Sequence, residues 1–154
     1  MARLTSIELT NMIMIENPAT QEILVENRLN PKWPGVTFPG GHIEIGETVT
    51  ESAIREAKEE TGLTIVQPKL VGIKEWPLGV TGERYIVFLY KATKFSGEIC
   101  SGREGEIFWT TRQNLVTYPT PHTFLEMLKV FDEEQVNELA LLEKKAEQWR
   151  FEWQ

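Results

Sequence analysis

A helix is signalled at both of its ends by Thr48, which opens a Thr-x-x-Glu box with Glu51, and by Gly62, which stands where a left-handed stop is wanted. The spacing therefore predicts a helix from about Thr48 to Thr61. At about 100° per residue, Ala53, Ile54 and Ala57 make one narrow apolar stripe suited to packing on a sheet. Glu56, Glu59 and Glu60 fall on an adjoining stripe roughly 100° wide. Like charges at these spacings each cost an isolated helix ~0.2–0.5 kcal/mol, and more when the group sits beside an apolar seam, partly out of water. A solvated acidic face is the usual meaning of such a run. Here, however, the paired Gly40 and Gly41 just upstream can turn sharply and bring a carbonyl oxygen toward the helix. Glu47 and Arg55 can pair and brace that loop. Carboxylates plus a backbone carbonyl are hard oxygen donors, the set that suits Mg²⁺ or Mn²⁺ rather than zinc.

The rest of the chain limits what that cation serves. With 154 residues, of which 41% are hydrophobic and 25% charged, there is chain for one globular domain with its own core. A formal net charge of −7 and the lack of any basic run argue against binding of long nucleic acid, which needs clustered Lys and Arg. The longest apolar run near the start, Met12 to Ile15, is far short of a signal or membrane segment, so a cytoplasmic location without membrane association is expected. One cysteine, Cys100, excludes an intramolecular disulfide and reads as a small part-buried side chain.

The order of elements is mixed α/β. Residues 5–15 read as a strand, Asn17 to Thr20 as a turn, and Glu22 to Arg28 as its hairpin partner. A Gly/Pro-rich loop holding a short extended piece, Val36 to Phe38, leads to the glycines and the helix. Two β-rich runs follow, Thr64 to Trp76 and Arg84 to Phe95, then a shorter one at Ile107 to Thr110. A second helix is expected to start near Pro121, with Phe124, Leu125, Leu128 and Phe131 at core spacing. From about residue 132 to 154, Val136, Leu139, Ala140 and Trp149 recur at roughly helical intervals and predict a packed terminal helix.

Gly41, Glu47, Arg55, Glu56, Ala57, Glu59, Glu60, Gly62 and Leu63 resemble, in identity and spacing over residues 41–63, the signature of the Nudix hydrolases, Gly-x5-Glu-x7-Arg-Glu-U-x-Glu-Glu-x-Gly-U, with U bulky and aliphatic. The one departure is Ala57 at the first U position, small but still apolar. The resemblance implies an α/β/α sandwich around a mixed β-sheet, with a loop-helix-loop catalytic motif, as a single domain over residues 1–154. It implies cleavage of a diphosphate linkage with Mg²⁺, or Mn²⁺ in its place. Glu56, Glu59 and Glu60 would then bind metal together with the Gly41 carbonyl oxygen, and Arg55, braced by Glu47, would orient a metal-binding glutamate. The water's proton would go to Glu59 or to a loop glutamate, Glu104 or Glu106, with Glu104 preferred.

For the substrate, Arg28 and Arg84 are candidate phosphate contacts, although surface ion pairs account for them equally well. Phe38 and Trp76 are candidates for stacking a base, ahead of Trp33. His42 and His122 read as residues without a role. FPGGHIE before the helix and EGEIFW after the sheet look like the bacterial MutT-like, mutator-type branch. That branch implies hydrolysis of a nucleoside triphosphate, oxidised ones such as 8-oxo-dGTP included, to monophosphate and pyrophosphate. Pro77 hints instead at ADP-ribose or a nucleoside diphosphate sugar. A nucleotide-sensing module is the reading from outside the enzymes, and such modules commonly lose a box glutamate, whereas this chain keeps all of them. The tail can cap its own domain or join a second subunit in a homodimer.

Overall fold

The computed structural model describes residues 4–154. Strand β1 (Ile7–Ile15) is apolar on both faces in its second half, and its side chains divide between two cores. Ile13 and Ile15 join Ala53, Ala57, Leu63 and Tyr90, whereas Met14 joins Phe38, Phe124, Met127 and Val130. A strand covered on both faces reads as a continuous apolar run, not an alternating one. Strand β2 (Ile23–Arg28) does the same, with Leu24 in the first core and Ile23 and Val25 in the second.

The helix α1 (Val49–Thr61) packs its alanine stripe into the first core. Its start is the expected capping box: Thr48 Oγ1 accepts the Glu51 N–H at 3.1 Å, and the Glu51 carboxylate accepts the Thr48 N–H at 2.8 Å. Its stop is Gly62 at φ +81°, with the Gly62 N–H on the Lys58 carbonyl. The second core lies under α3 (Phe124–Asp132), which begins a few residues later than Pro121 suggested. The short helix α2 (Arg112–Leu115), capped by the Thr111 hydroxyl, was not foreseen.

Between the helices runs a mixed five-stranded sheet in the order β1-β6-β5-β9-β10, formed with β5 (Lys69–Pro77), β6 (Arg84–Ala92), β9 (Glu138–Lys145) and β10 (Gln148–Trp153). β1 runs parallel to β6, and β5 antiparallel to it. A smaller antiparallel sheet sets β2 between β3 (Gly35–Thr37) and β8 (Gly105–Thr110). β4 (Thr64–Ile65) and β7 (Phe95–Ser96) form a two-stranded pair. This is the expected α/β/α arrangement.

The tail corrects the helical reading of residues 132–154: after α3 it forms a hairpin, not a helix. β9 lies parallel to β5, with Lys74 beside Leu139, and covers an edge that would otherwise leave backbone groups unpaired. Leu139, Ala140 and Leu141 are consecutive buried residues, which a strand inside a sheet accommodates and one stripe of a helix does not. Trp149, Phe151 and Trp153 then alternate along β10. Both turn residues, Ala146 and Glu147, have positive φ (46° and 68°), the backbone of a tight two-residue hairpin, here without the Asn-Gly that usually announces it. Cys100 is also corrected, being exposed rather than part-buried.

Candidate active site

The loop before α1 is laid against β1 by two backbone hydrogen bonds. The Ile13 N–H donates to the Pro39 carbonyl at 2.8 Å and the Asn11 N–H to the Gly41 carbonyl at 2.9 Å. In extended chain successive carbonyls point to opposite sides. The Gly41 oxygen, expected to face the metal, is thus turned into the sheet, and the Gly40 oxygen between these two accepts no hydrogen bond among the described residues. Gly40 is forced to be glycine by proximity: a Cβ there would lie 2.1 Å from the Asn11 carbonyl oxygen. Its N–H donates to Glu60 Oε2 at 2.8 Å, tying loop to helix. Gly41 makes room for a carboxylate, since its Cβ would lie 2.5 Å from the Glu56 carboxyl carbon.

Arg55 is the hub of the helix face. Its Nε and Nη2 hold both oxygens of Glu47, at 3.0 and 2.7 Å, in a two-pronged pair. Its Nη1 reaches Glu56 at 2.8 Å and Glu59 at 3.2 Å, and Nη2 also reaches the His42 carbonyl at 3.0 Å. The Arg55 hydrogen bond, followed by the Glu44 backbone N–H, holds the Glu47 carboxyl down at about 2. Carboxylate pairing in turn raises the Arg55 guanidinium further above its ordinary value. The expected brace is present, and it orients Glu56 and Glu59.

Three further carboxylates converge: Glu26 on β2, Glu60 on α1 and Glu104 just before β8 bring ligating oxygens within 4.8 Å of one another. Glu60 is 8% exposed and Glu26 only 1%, and among the described residues Glu26 Oε1 has no hydrogen-bond partner. Burial, with the Glu26 charge next, pushes Glu60 up to about 9. Burial likewise raises Glu26 and Glu56 against the lowering pull of nearby arginine. Such a cluster of carboxylates is costly without a cation.

Glu56, Glu60 and Glu104 line a cleft of about 460 Å³, which Glu26 does not reach. Arg28 and Glu104 also line it and pair at 3.5 Å. Trp76 lines it too, stacked on Tyr85 with ring centroids 4.3 Å apart and planes 9° off parallel. Phe38 reaches the cleft but is 2% exposed and edge-packed on Phe124 and Phe131, so it is chiefly a wall. Arg84 is corrected: it lies off the cleft, paired with Glu75 at 2.7 Å on neighbouring strands. Pro77, on the same strand end, does not line the cleft either. Glu59 is more than half exposed and turned to Arg55, also off the lining. Trp33, His42 and His122 do line it. Sequence reasoning missed Glu26, Lys74 and Asn11. The available signal was a charged residue in each of two strands, Glu26 after the apolar run Ile23 to Val25 and Lys74 between Ile73 and Trp76.

Comparison with known proteins agrees with this geometry. A family model described as "NUDIX domain" matches residues 9–131. An uncharacterised Nudix hydrolase of Bacillus subtilis is 31% identical over 86 residues, 53% of this chain and 54% of that protein. An ADP-ribose pyrophosphatase of Methanocaldococcus jannaschii is 34% identical over 89 residues, 56% of this chain and 53% of that protein. The chain therefore spans about half the length of these curated relatives. Among solved structures, a MutT protein from Bacillus halodurans superposes with a TM-score of 0.74 at 20% identity, covering 95% of this chain and 97% of that one. The NUDIX domain of Shewanella oneidensis NrtR, complexed with ADP ribose, has a TM-score of 0.67 at 17% identity, covering 86% and 90%. The match over most of its length, together with the box on α1, establishes that the chain belongs to the Nudix family.

Proposed function

We propose that the protein is a Mg²⁺-dependent pyrophosphohydrolase that cleaves a nucleoside triphosphate, an oxidised one such as 8-oxo-dGTP included, to the monophosphate and pyrophosphate. The observation that carries this is one cleft lined both by the carboxylates Glu56, Glu60 and Glu104 and by the Trp76–Tyr85 stack, which suits a metal-bound phosphate chain and a base in the same site.

The donor set fits a hard divalent cation: carboxylates and, among the described residues, a backbone carbonyl and a buried Glu26 oxygen that accept no hydrogen bond. Glu56, Glu60 and the Gly40 carbonyl would hold it, with Glu59 reaching it only by turning away from Arg55. When bound, Mg²⁺ would neutralise phosphate oxygens and lower the pKa of a coordinated water. The residues do the rest. Arg55 fixes Glu56 through its grip on Glu47, so the ligand is set before substrate arrives. Glu104, within the carboxylate cluster and on the cleft, takes the proton of the attacking water. Arg28, beside Glu104, contacts a phosphate oxygen. Trp76 offers its face to the base.

ADP-ribose is the competing substrate, favoured by the name of the Methanocaldococcus jannaschii relative. A Mg²⁺ assay across canonical and oxidised dNTPs, ADP-ribose and nucleotide sugars separates the two. Release of pyrophosphate from a triphosphate with the highest kcat/KM supports the proposal. Preference for ADP-ribose discards the substrate and keeps the chemistry. Tight binding without cleavage of any diphosphate compound would indicate a sensor.

A further inference from the structure

Lys74 is a cation lining the cleft beside Trp76, on a strand distant from the glycine loop. It lies on β5, paired across to Val87 of β6, which is paired to Thr10 of β1, which bridges His42 in the glycine loop. Lys74, Val87, Thr10 and His42 all line the cleft, so this cross-strand row is its floor. At ~4.8 Å per strand, Lys74 is roughly 14 Å across the sheet from the loop that carries Gly41. Trp76, under its ammonium, and Val87, its cross-strand partner, are walls suited to a base rather than to phosphate.

Among the described residues, the Lys74 ammonium makes no ion pair and no hydrogen bond to protein. Its ammonium sits 5.7 Å from the Trp76 ring centroid. Desolvation pulls it down to about 8, only partly opposed by Glu126. A cation held this way, without a partner, is costly unless something else supplies acceptors. An ammonium has three donors and no acceptor. Guanine offers adjacent N7 and O6 acceptors on one edge, whereas adenine sets an amino donor where O6 would be.

We propose that Lys74 is a specificity-determining residue that donates to the ring carbonyl of the nucleobase, so that the enzyme selects 6-oxopurines over adenine. This rests on the nucleoside triphosphate reading above. Adenine in the same place keeps N7 but loses the carbonyl acceptor and sets an amino donor against the ammonium, the kind of polar mismatch by which sites discriminate strongly.

The test compares dGTP, dITP and dATP as substrates of the wild type and of Lys74→Met and Lys74→Arg. Hypoxanthine keeps the carbonyl and lacks the exocyclic amine of guanine, so dITP isolates the contact. Wild type is expected to favour dGTP and dITP over dATP by on the order of ten- to a hundredfold in kcat/KM. Lys74→Met is expected to bring that ratio close to one, mainly through KM, and Lys74→Arg to retain most of it. A preference that survives in Lys74→Met overturns the proposal. So does an equal loss on all three substrates, which would mark a phosphate contact or a structural role. Binding of dGMP, dIMP and dAMP in EDTA, followed by tryptophan fluorescence, reads the base end without turnover. If no triphosphate is cleaved but dGMP and dIMP still bind more tightly than dAMP in a Lys74-dependent way, the assignment of Lys74 stands and the proposed reaction fails. Tighter dAMP binding by the wild type would overturn the assignment itself.

Discussion

Gly41 and Glu56 share one space: the Cβ that Gly41 lacks would lie 2.5 Å from the carboxyl carbon and from one oxygen of Glu56. The glycine is required by the carboxylate beside it. Gly40, one residue earlier, is required by backbone instead, with the Asn11 carbonyl oxygen 2.1 Å from its missing Cβ. The two glycines therefore separate function from stability. Gly41→Ala is expected to displace the flexible Glu56 side chain, cut kcat by about 10–100-fold as for a lost ligand support, and shift stability little. Gly40→Ala must push backbone off β1 and is expected to cost about 1–3 kcal/mol of stability. Thermal unfolding beside steady-state kinetics distinguishes them. Equal destabilisation of both variants would contradict the packing described.

Glu47 acts at one remove, through Arg55. Glu47→Gln is expected to lower Mg²⁺ affinity or kcat by about 10–100-fold while leaving substrate KM near wild type. The same pair gives an acid-stability signature. Glu47 is held near 2 against an ordinary 4.5, so its contribution is present above 4.5 and is lost as pH falls through about 2. Acid unfolding curves of the variant should lack that component.

Glu60 has the opposite sign. Its carboxyl is raised from 4.5 to about 9, so the folded protein holds the proton more tightly than the unfolded chain and loses that contribution as pH rises between those values. Metal-free protein should therefore become less stable toward pH 9, and Mg²⁺ should stabilise it more as pH rises. Glu60→Gln is expected to raise the metal-free Tm at pH 8 by roughly 2–4 °C per kcal/mol relieved, and to abolish the Mg²⁺ response. Differential scanning calorimetry in EDTA and in Mg²⁺ reads both. A Mg²⁺ shift that persists in the variant would remove Glu60 from the metal site.

The glutamates are not equivalent in position, so they should not be equivalent in effect. Glu104→Gln is expected to lower kcat by about 10²–10⁴-fold with KM little changed, as for loss of a proton acceptor. Glu56→Gln and Glu60→Gln should weaken Mg²⁺ more than Glu59→Gln, because Glu59 is turned outward to Arg55. Arg84→Ala, which breaks an ion pair away from the cleft, should leave kcat/KM within about twofold. A large loss there would restore Arg84 as a phosphate contact.

Local chemistry was legible in the chain because it depends on near neighbours. The Thr48 and Glu51 cap, the Gly62 stop, the alanine stripe and the Glu47–Arg55 brace all follow from spacing on one helix and its loop. The glutamate face and the paired glycines raised the expectation of a cation and an anionic substrate, and the charge of −7 disfavoured long nucleic acid. What spacing cannot carry is which partner a distant strand brings. The direction of the Gly41 carbonyl was decided by its hydrogen bond to Asn11. Arg84 was taken from the cleft by Glu75 on the next strand, and Glu26 was brought to Glu60 by the docking of β2 near α1. The tail became a hairpin because the edge of β5 offered backbone partners that a terminal helix would have left bare. Lys74 reads as an ordinary strand residue until β6 and β1 are laid beside it and their side chains form one floor. Helix geometry is periodic in sequence and can be counted, whereas sheet pairing joins residues of arbitrary separation and exists only once the chain has folded.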